Sequence, residues 1–327
     1  MQKIILDVDT GSDDAIAIMM AVLSRKFEIL GITVTWGNRP VEDCVENTLK
    51  VLELIGSDIP VYAGCPQPMV RYLTEQRNAA LKKDGISIVQ DGKEYSVHPA
   101  SFPLPEPRTK VREKHACTFL METLSRSPEK LTVVTVGPMT NLGMVFRMNP
   151  SVKEKISKVV IMGGAVHRGN ITPCAEANFY HDPEAARIVL SSGVPCYIVG
   201  LNATHSAEIN LDDAKMLRSL GTKAARFAAD LIETRIDALR RMKSGNGYSD
   251  AIHDALAIAS LIDSSVITKE VRLMCTVDIG GGDADGMLVV DERRESAPDD
   301  SVQTVIAMEA DKNRFRDMML SILGGAS

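Results

Sequence analysis

The sequence lacks a C-x-x-C pair: Cys44, Cys65, Cys117, Cys174, Cys196 and Cys275 are scattered over 327 residues. That spacing excludes a zinc site or a disulfide framework of the usual patterns and reads as reduced thiols in a cytoplasmic protein. Basic charge is not in excess either, since 37 Lys and Arg stand against 43 Asp and Glu, for a formal net charge of -6. A surface built to neutralise phosphates needs clustered Lys and Arg, so nucleic acid is not an expected partner. No apolar run approaches the roughly eighteen residues of a membrane span, so no membrane association is expected. The chain enters a strand pattern at Lys3, which leaves no signal peptide to expect. Internal repeats, low-complexity tracts and clear linkers are also missing, and a single domain over residues 1–327 is the expectation.

What the sequence does have is alternation. KIILDV is followed by DDAIAIMMAVLS, EILGITVTW by VEDCVENTLKVLELIG, LTVVTV by MTNLGMVFRM, KVVIMG by PEAARIVLSS, and PCYIVG by later helices. Short apolar runs alternating with helix-period segments predict an α/β fold, an open and mainly parallel sheet flanked by helices with a Rossmann-like core. In such a sheet functional groups gather where strands end. The residues at those ends are Asp9 to Asp14, Trp36 to Asn38, Val136 to Pro138, the loop from Gly163 to Asp182, and Asn202 to His205. A long stretch of about 65–113 carries Pro, Gly and charge and has the length of a lid. Towards the end, RLMCTVDI and GMLVVDE read as strands around a Gly/Asp turn, followed by SVQTVIAM and a closing helix.

The densest chemistry lies in DVDTGSDDA, which places Asp7, Asp9, Asp13 and Asp14 within eight residues. Crowded carboxylates raise one another's pKa unless water or a cation intervenes. Helix capping accounts for one such acid, but three can converge here around Gly11. A calcium-binding hand fails, because its twelfth position is Ile18 where a bidentate Glu belongs. A Mg²⁺-dependent phosphatase of the haloacid-dehalogenase type also opens with a strand ending in Asp-x-Asp, and it is the main rival chemistry. Its second acidic pair, however, lies far downstream rather than four residues on.

Two later segments add polar groups. MGGAVHRGNITPCAEANFYHDPEAA offers Asn170, Glu176 and Asn178, amides and a carboxylate suited to sugar hydroxyls or to an ordinary polar loop. His167 and His181 in the same segment read as surface or helix-entry residues. In GYSDAIHDALAIASLI, His253 and Asp254 open an apolar helix, where Asp254 is either a first-turn acid or one more oxygen for a hard cation.

Taken together and in order, DVDTGSDDA, TWGN, VGPMTNL, MGGAVHRGN, AEANFYHDPEAA and IHDALA resemble the inosine–uridine-preferring nucleoside hydrolases, over about residues 3–262. The opening departs from that family only in Thr10, where Pro is usual. The resemblance implies one Ca²⁺ held by Asp9, Asp14, the carbonyl of Val136 and Asp254. It also implies ribose contacts from Asp13, Asn38 and Asn178, with Asn170 and Glu176 towards the 5′ end. The implied reaction is hydrolysis of the N-glycosidic bond of a ribonucleoside, with Asp9 as general base and a homodimer or homotetramer as the assembly. A catalytically silent nucleoside-binding protein would keep the same ribose residues. The family's His-Gly-x-x-Gly-Leu stretch has no clean match in LKKDGISIVQDGKEYSVHPASFPLPEP, which leaves His253 as the expected leaving-group acid, with Tyr248 and His98 as alternatives.

Overall fold

The computed structural model describes residues 1–81, 87–243, 246–293 and 304–325. The first stretch runs β1 (Gln2–Val8), α1 (Ser12–Leu23), β2 (Phe27–Val34), α2 (Val41–Leu54) and β3 (Val61–Ala63). Then come α3 (Glu75–Leu81), the hairpin strands β4 (Ser87–Gln90) and β5 (Lys93–Ser96), α4 (Ala116–Arg126), β6 (Leu131–Thr135), α5 (Thr140–Met148) and β7 (Ile156–Met162). The next elements are α6 (Ala177–His181), α7 (Pro183–Leu190), β8 (Cys196–Val199), α8 (Leu201–Ser206), β9 (Ile209–Asn210), α9 (Leu211–Ser219) and α10 (Lys223–Arg241). The last are β10 (Ser249–Asp250), α11 (His253–Ile262), β11 (Ile267–Arg272), β12 (Met274–Val277), β13 (Leu288–Asp291), β14 (Thr304–Ala310) and α12 (Lys312–Leu323).

Eight strands form the central sheet in the order β11-β14-β8-β7-β6-β1-β2-β3. All neighbours pair in parallel except β11 on β14. Parallel strands buried on both faces read as near-continuous apolar runs, and β1 supplies one in Ile4, Ile5, Leu6 and Val8, interrupted by the buried Asp7, which Thr33 and Asn141 hydrogen-bond. Ile4, Leu6 and Val8 enter the layer formed with α1, α2, α10, α11 and α12, while Ile5 enters the opposite layer with α4, α5 and α7. β6 and β7 split in the same way, Val134 and Val160 to the first layer and Val133, Val159 and Ile161 to the second. Among the described residues no helix is long and apolar enough to cross a membrane.

The chain order places the site. From β1 the chain first builds outward through β2 and β3, then returns to pair β6 on the other side of β1. β1 and β6 therefore diverge at a topological switch point, where the loops after the strands open a crevice. Asp9 follows β1 and Val136 follows β6.

The 65–113 stretch expected as an irregular loop contains a 3₁₀ turn at Arg71–Leu73, the short helix α3 and the hairpin β4–β5. It is anchored by charge. Arg71 Nη1 donates to Asp285 Oδ2 at 2.7 Å, and Arg77 meets the same carboxylate with Nε and Nη2, both at 3.0 Å. The Arg71 and Asp285 side chains are 1% and 4% exposed, and the Arg71 guanidinium lies 3.9 Å from the Tyr180 ring centroid. Asp285→Ala should cost about 3–5 kcal/mol of stability, because it leaves a buried guanidinium uncompensated. Denaturant unfolding checks this, and a loss below about 1 kcal/mol would show that the anchor is not buried charge.

Candidate functional site

The four acids converge because three elements end or begin at the same place. Asp9 caps the end of β1, Asp13 and Asp14 sit in the first turn of α1, and Asp254 sits in the first turn of α11. Both helix starts favour negative charge, and all four residues are under 5% exposed. Carboxylate oxygens of Asp13, Asp14 and Asp254 lie within 4.8 Å of one another. Asp9 is wedged between two loops: a Cβ on Gly37 would stand 2.1 Å from its Oδ2 and one on Gly137 2.6 Å from its Oδ1. Only glycine allows so close an approach at either position.

Hydrogen bonds fix each acid differently. Asp9 Oδ2 accepts the Asn38 N–H at 2.7 Å, whereas its Oδ1 is buried with no donor among the described residues. Asp14 accepts the N–H groups of Asp9 (3.1 Å) and Gly11 (2.9 Å) and the Asn38 amide (3.1 Å). The capping role weighed from sequence is thus real for Asp14, and it coexists with the cluster. Asp13 Oδ1 meets Arg235 Nη1 at 3.0 Å and lies 3.6 Å from His98 Nδ1.

Electrostatics follow from these contacts. Burial, and then the Asp14 charge, push Asp9 well above the usual carboxylate range. Burial, reinforced by Asp13, raises Asp14 to about 6, and the same two causes hold Asp254 well above its ordinary value. Asp13 alone of the four goes down: burial pushes it up, but the Arg235 guanidinium against it leads the effects that bring it below the usual carboxylate range. Three buried acids held above their ordinary range, plus an orphaned carboxylate oxygen, are what an oxygen cage for a hard cation looks like when the cation's charge is not counted. The residues therefore fit a divalent ion, and Asp13 stands closer to the cage than the sequence reading, which kept it on the sugar, supposed.

Two of the four acids, Asp13 and Asp254, line a cavity of about 810 Å³ together with Asn38, Val136, Asn178 and His253, while Asp9 and Asp14 stand behind that lining. Asn178 Nδ2 donates to the carbonyls of Val136 (2.7 Å) and Met162 (3.1 Å), so its amide nitrogen is engaged with main chain. Glu176 spends its carboxylate on the N–H groups of Gly164, Asn178 and Phe179, capping α6. Asn170 is exposed at the mouth and accepts the Ala177 N–H at 3.0 Å. His253 Nδ1 lies 2.8 Å from Thr204 Oγ1, and burial lowers its pKa to about 4. Tyr248 is 46% exposed and hydrogen-bonds Asp212, away from the acids.

One residue differs from the sequence reading, one that it named as an alternative donor stands at the site, and one escaped it. His181 is not a surface residue: it is 5% exposed, lines the cavity and lies 5.4 Å from the Trp36 ring, because α6 folds its C-terminal end over the end of β2. His98 reaches the site from the stretch after the β4–β5 hairpin. Its Nδ1 accepts the Ser12 N–H at 3.3 Å, and burial lowers its pKa to about 3. Arg235 went unnoticed, although a lone arginine on the apolar face of a 19-residue helix is a readable signal.

Fold and site together define an α/β enzyme with a carboxylate-floored, polar pocket. The chain belongs to the inosine-uridine preferring nucleoside hydrolase family, whose profile matches residues 4–317. It is 34% identical over 317 residues, 97% of this chain and 96% of the relative, to the pyrimidine-specific ribonucleoside hydrolase RihA of Shigella boydii. It is 35% identical over 295 residues, 89% and 88% of the two chains, to the pyrimidine-specific ribonucleoside hydrolase RihB of Escherichia coli. Among solved structures, a purine-preferring ribonucleoside hydrolase from Gardnerella vaginalis superposes with a TM-score of 0.85 at 29% identity, covering 99% of this chain and 98% of that one. The plant nucleoside hydrolase PpNRh1 gives 0.83 at 26% identity and 98% coverage of each. The protein is accordingly a ribonucleoside hydrolase acting on N-glycosyl compounds, and the family rather than the haloacid-dehalogenase phosphatases accounts for the chain.

Proposed function

We propose that the protein hydrolyses pyrimidine ribonucleosides to ribose and free base in a Ca²⁺-dependent reaction in the cytosol. The observation that carries this reading is the buried set Asp9, Asp13, Asp14 and Asp254, with Asp9 Oδ1 lacking a donor among the described residues. The preference for pyrimidines is supported by the two relatives at 34% and 35% identity, both pyrimidine-specific. Six unpaired thiols support a reducing compartment.

In this reading Asp9, Asp14, Asp254 and the Val136 carbonyl hold the ion. When bound, the ion lowers the pKa of water and adds positive charge beside the ribose hydroxyls. Asp9 takes the proton of the attacking water as its oxygen closes on the anomeric carbon. Asp13 accepts a hydrogen bond from a ribose hydroxyl, Asn38 and Asn178 offer their amide oxygens, and Asn170 and Glu176 border the 5′ end. As the glycosidic bond breaks, positive charge develops on the sugar, and the carboxylates around it stabilise that charge. His253 is neutral near pH 7. Its Nδ1 is hydrogen-bonded to Thr204 Oγ1, and in this reading Nε2 is the nitrogen that meets the departing base.

Incubation with uridine, cytidine, inosine and adenosine should release ribose and free base in equal amounts, fastest from the pyrimidines. Chelation should abolish turnover and added Ca²⁺ restore it. Full activity after verified metal removal would refute the ion's role, and a purine preference would refute the substrate order. Asp9→Asn should leave a folded protein with less than about a tenth of the rate, since general-base assistance is worth about 10²–10⁴-fold. His253→Ala should slow uridine far more than p-nitrophenyl riboside, whose leaving group departs without a proton. Equal slowing of both substrates would remove His253 from the leaving-group step.

A further inference from the structure

The inward face of α10 is apolar, with Ala225, Ala228, Leu231, Ile232 and Ile236 buried, and Arg235 is buried among them at 3% exposure. A guanidinium is retained in such a place only where its donors are met. They are met from two directions. Nη1 donates to Asp13 Oδ1 at 3.0 Å and to Ser12 Oγ at 2.9 Å, both in the first turn of α1. Nε donates to Asp250 Oδ2 at 2.8 Å and Nη2 to the Ala251 carbonyl at 3.3 Å, both in the chain that leads into α11. One rigid, planar fork therefore spans the two helix starts that deliver Asp13 and Asp14 on one side and His253 and Asp254 on the other.

The same contacts reach the third wall. Ser12 Oγ, which accepts from Arg235, donates to the Val97 carbonyl at 2.8 Å, and the next residue, His98, lies 3.6 Å from Asp13. Arg235, Asp13, Val97 and His98 all line the cavity. One oxygen of Asp13 is held by the fork, and Asp13 lines the cavity. Asp13 has a guanidinium against it, so the protein sets its orientation even though its carboxylate also lies within 4.8 Å of those of Asp14 and Asp254.

We propose that Arg235 is a positioning residue: it fixes the Asp13 carboxylate in the orientation that accepts a ribose hydroxyl, and so sets the enzyme's discrimination between ribose and 2′-deoxyribose. The proposal rests on the reading of Asp13 as a sugar contact. A site built around a substrate hydroxyl rejects the analogue lacking it by factors that reach about 10⁴–10⁵. A misplacement of about 1 Å in the group that meets the hydroxyl forfeits on the order of 10² of such a factor. A lysine supplies the charge but not the fork, so it cannot tie Asp13 to Asp250.

The test is the ratio of kcat/KM for a ribonucleoside to that for its 2′-deoxy analogue, measured with Arg235→Gln and Arg235→Lys, alone and on the Asp13→Asn background. The ratio should fall at least about tenfold in folded Arg235→Gln, and less in Arg235→Lys. Neither substitution should lower it further once Asp13→Asn is present. An unchanged ratio, or the same further fall on the Asp13→Asn background, overturns the proposal, since lost stability alone would slow both sugars equally. Should Arg235→Gln fail to fold, Asp250→Asn becomes the variant to read. It frees the far anchor of the fork while leaving Arg235 and Asp13 in place, and it too should lower the ratio; an unchanged ratio overturns the proposal. Equal wild-type rates on both sugars would overturn the ribose reading and this proposal together, whereas a strong wild-type preference untouched by these variants would overturn this proposal alone.

Discussion

Four buried carboxylates within reach of one another are the constraint around which this molecule is arranged. Asp9, Asp13, Asp14 and Asp254 are removed from water, where their mutual repulsion is poorly screened. Each part of the surrounding structure eases that repulsion. Two helix starts point their partial positive charge at it. Main-chain N–H groups of Asp9, Gly11 and Asn38 donate into it, and one guanidinium meets Asp13. These compensate Asp13 and part of Asp14, and they leave Asp9 and Asp254 well above the ordinary carboxylate range. The remaining deficit is the physical argument for a cation.

The sheet order gives the cluster its location. Because the chain reverses direction between β1 and β6, the ends of these strands do not have a crossover helix packed across them, and a crevice is left there. Close approach of the loops after β2 and β6, through Gly37 and Gly137, hems in the Asp9 carboxylate on two sides. The 65–113 stretch then walls one side by carrying His98 onto the start of α1, and its clamp to Asp285 ties that wall to the β12–β13 hairpin. A stretch of that length serves here as a structured wall with its own helix and hairpin.

How far the sequence told this in advance depends on how local each feature is. Asp9, Asp13 and Asp14 were legible because a strand tip and a helix start are adjacent in the chain. Asn38, Val136 and Asn178 were legible as strand-end residues once the β/α alternation was recognised, and the ordered motifs gave the family. The hairpin of β12 and β13 was readable from its Gly/Asp turn. The cap made by Glu176 was not read from the sequence, because its three N–H partners, of Gly164, Asn178 and Phe179, are fixed only once α6 has folded beside the end of β7. Arg235 and Asp13 are 222 residues apart and His98 and Ser12 are 86 apart. No local pattern pairs such residues, because their contact exists only after helices on one face of the sheet have packed. The burial of His181 escaped for the same reason: its neighbour Trp36 comes from another strand end.

The claim on which the account rests is that this carboxylate cluster is a cation site, and calorimetric titration of Ca²⁺ into metal-free protein tests it directly. One equivalent should bind per chain. Asp14→Asn should weaken binding by more than about 100-fold, beyond the 10–100-fold typical of losing an outer-shell partner. Asp317→Asn, an exposed substitution on α12 beside Arg316, should bind as the wild type does. Absence of saturable binding, or equal affinity in the wild type and Asp14→Asn, would contradict the account.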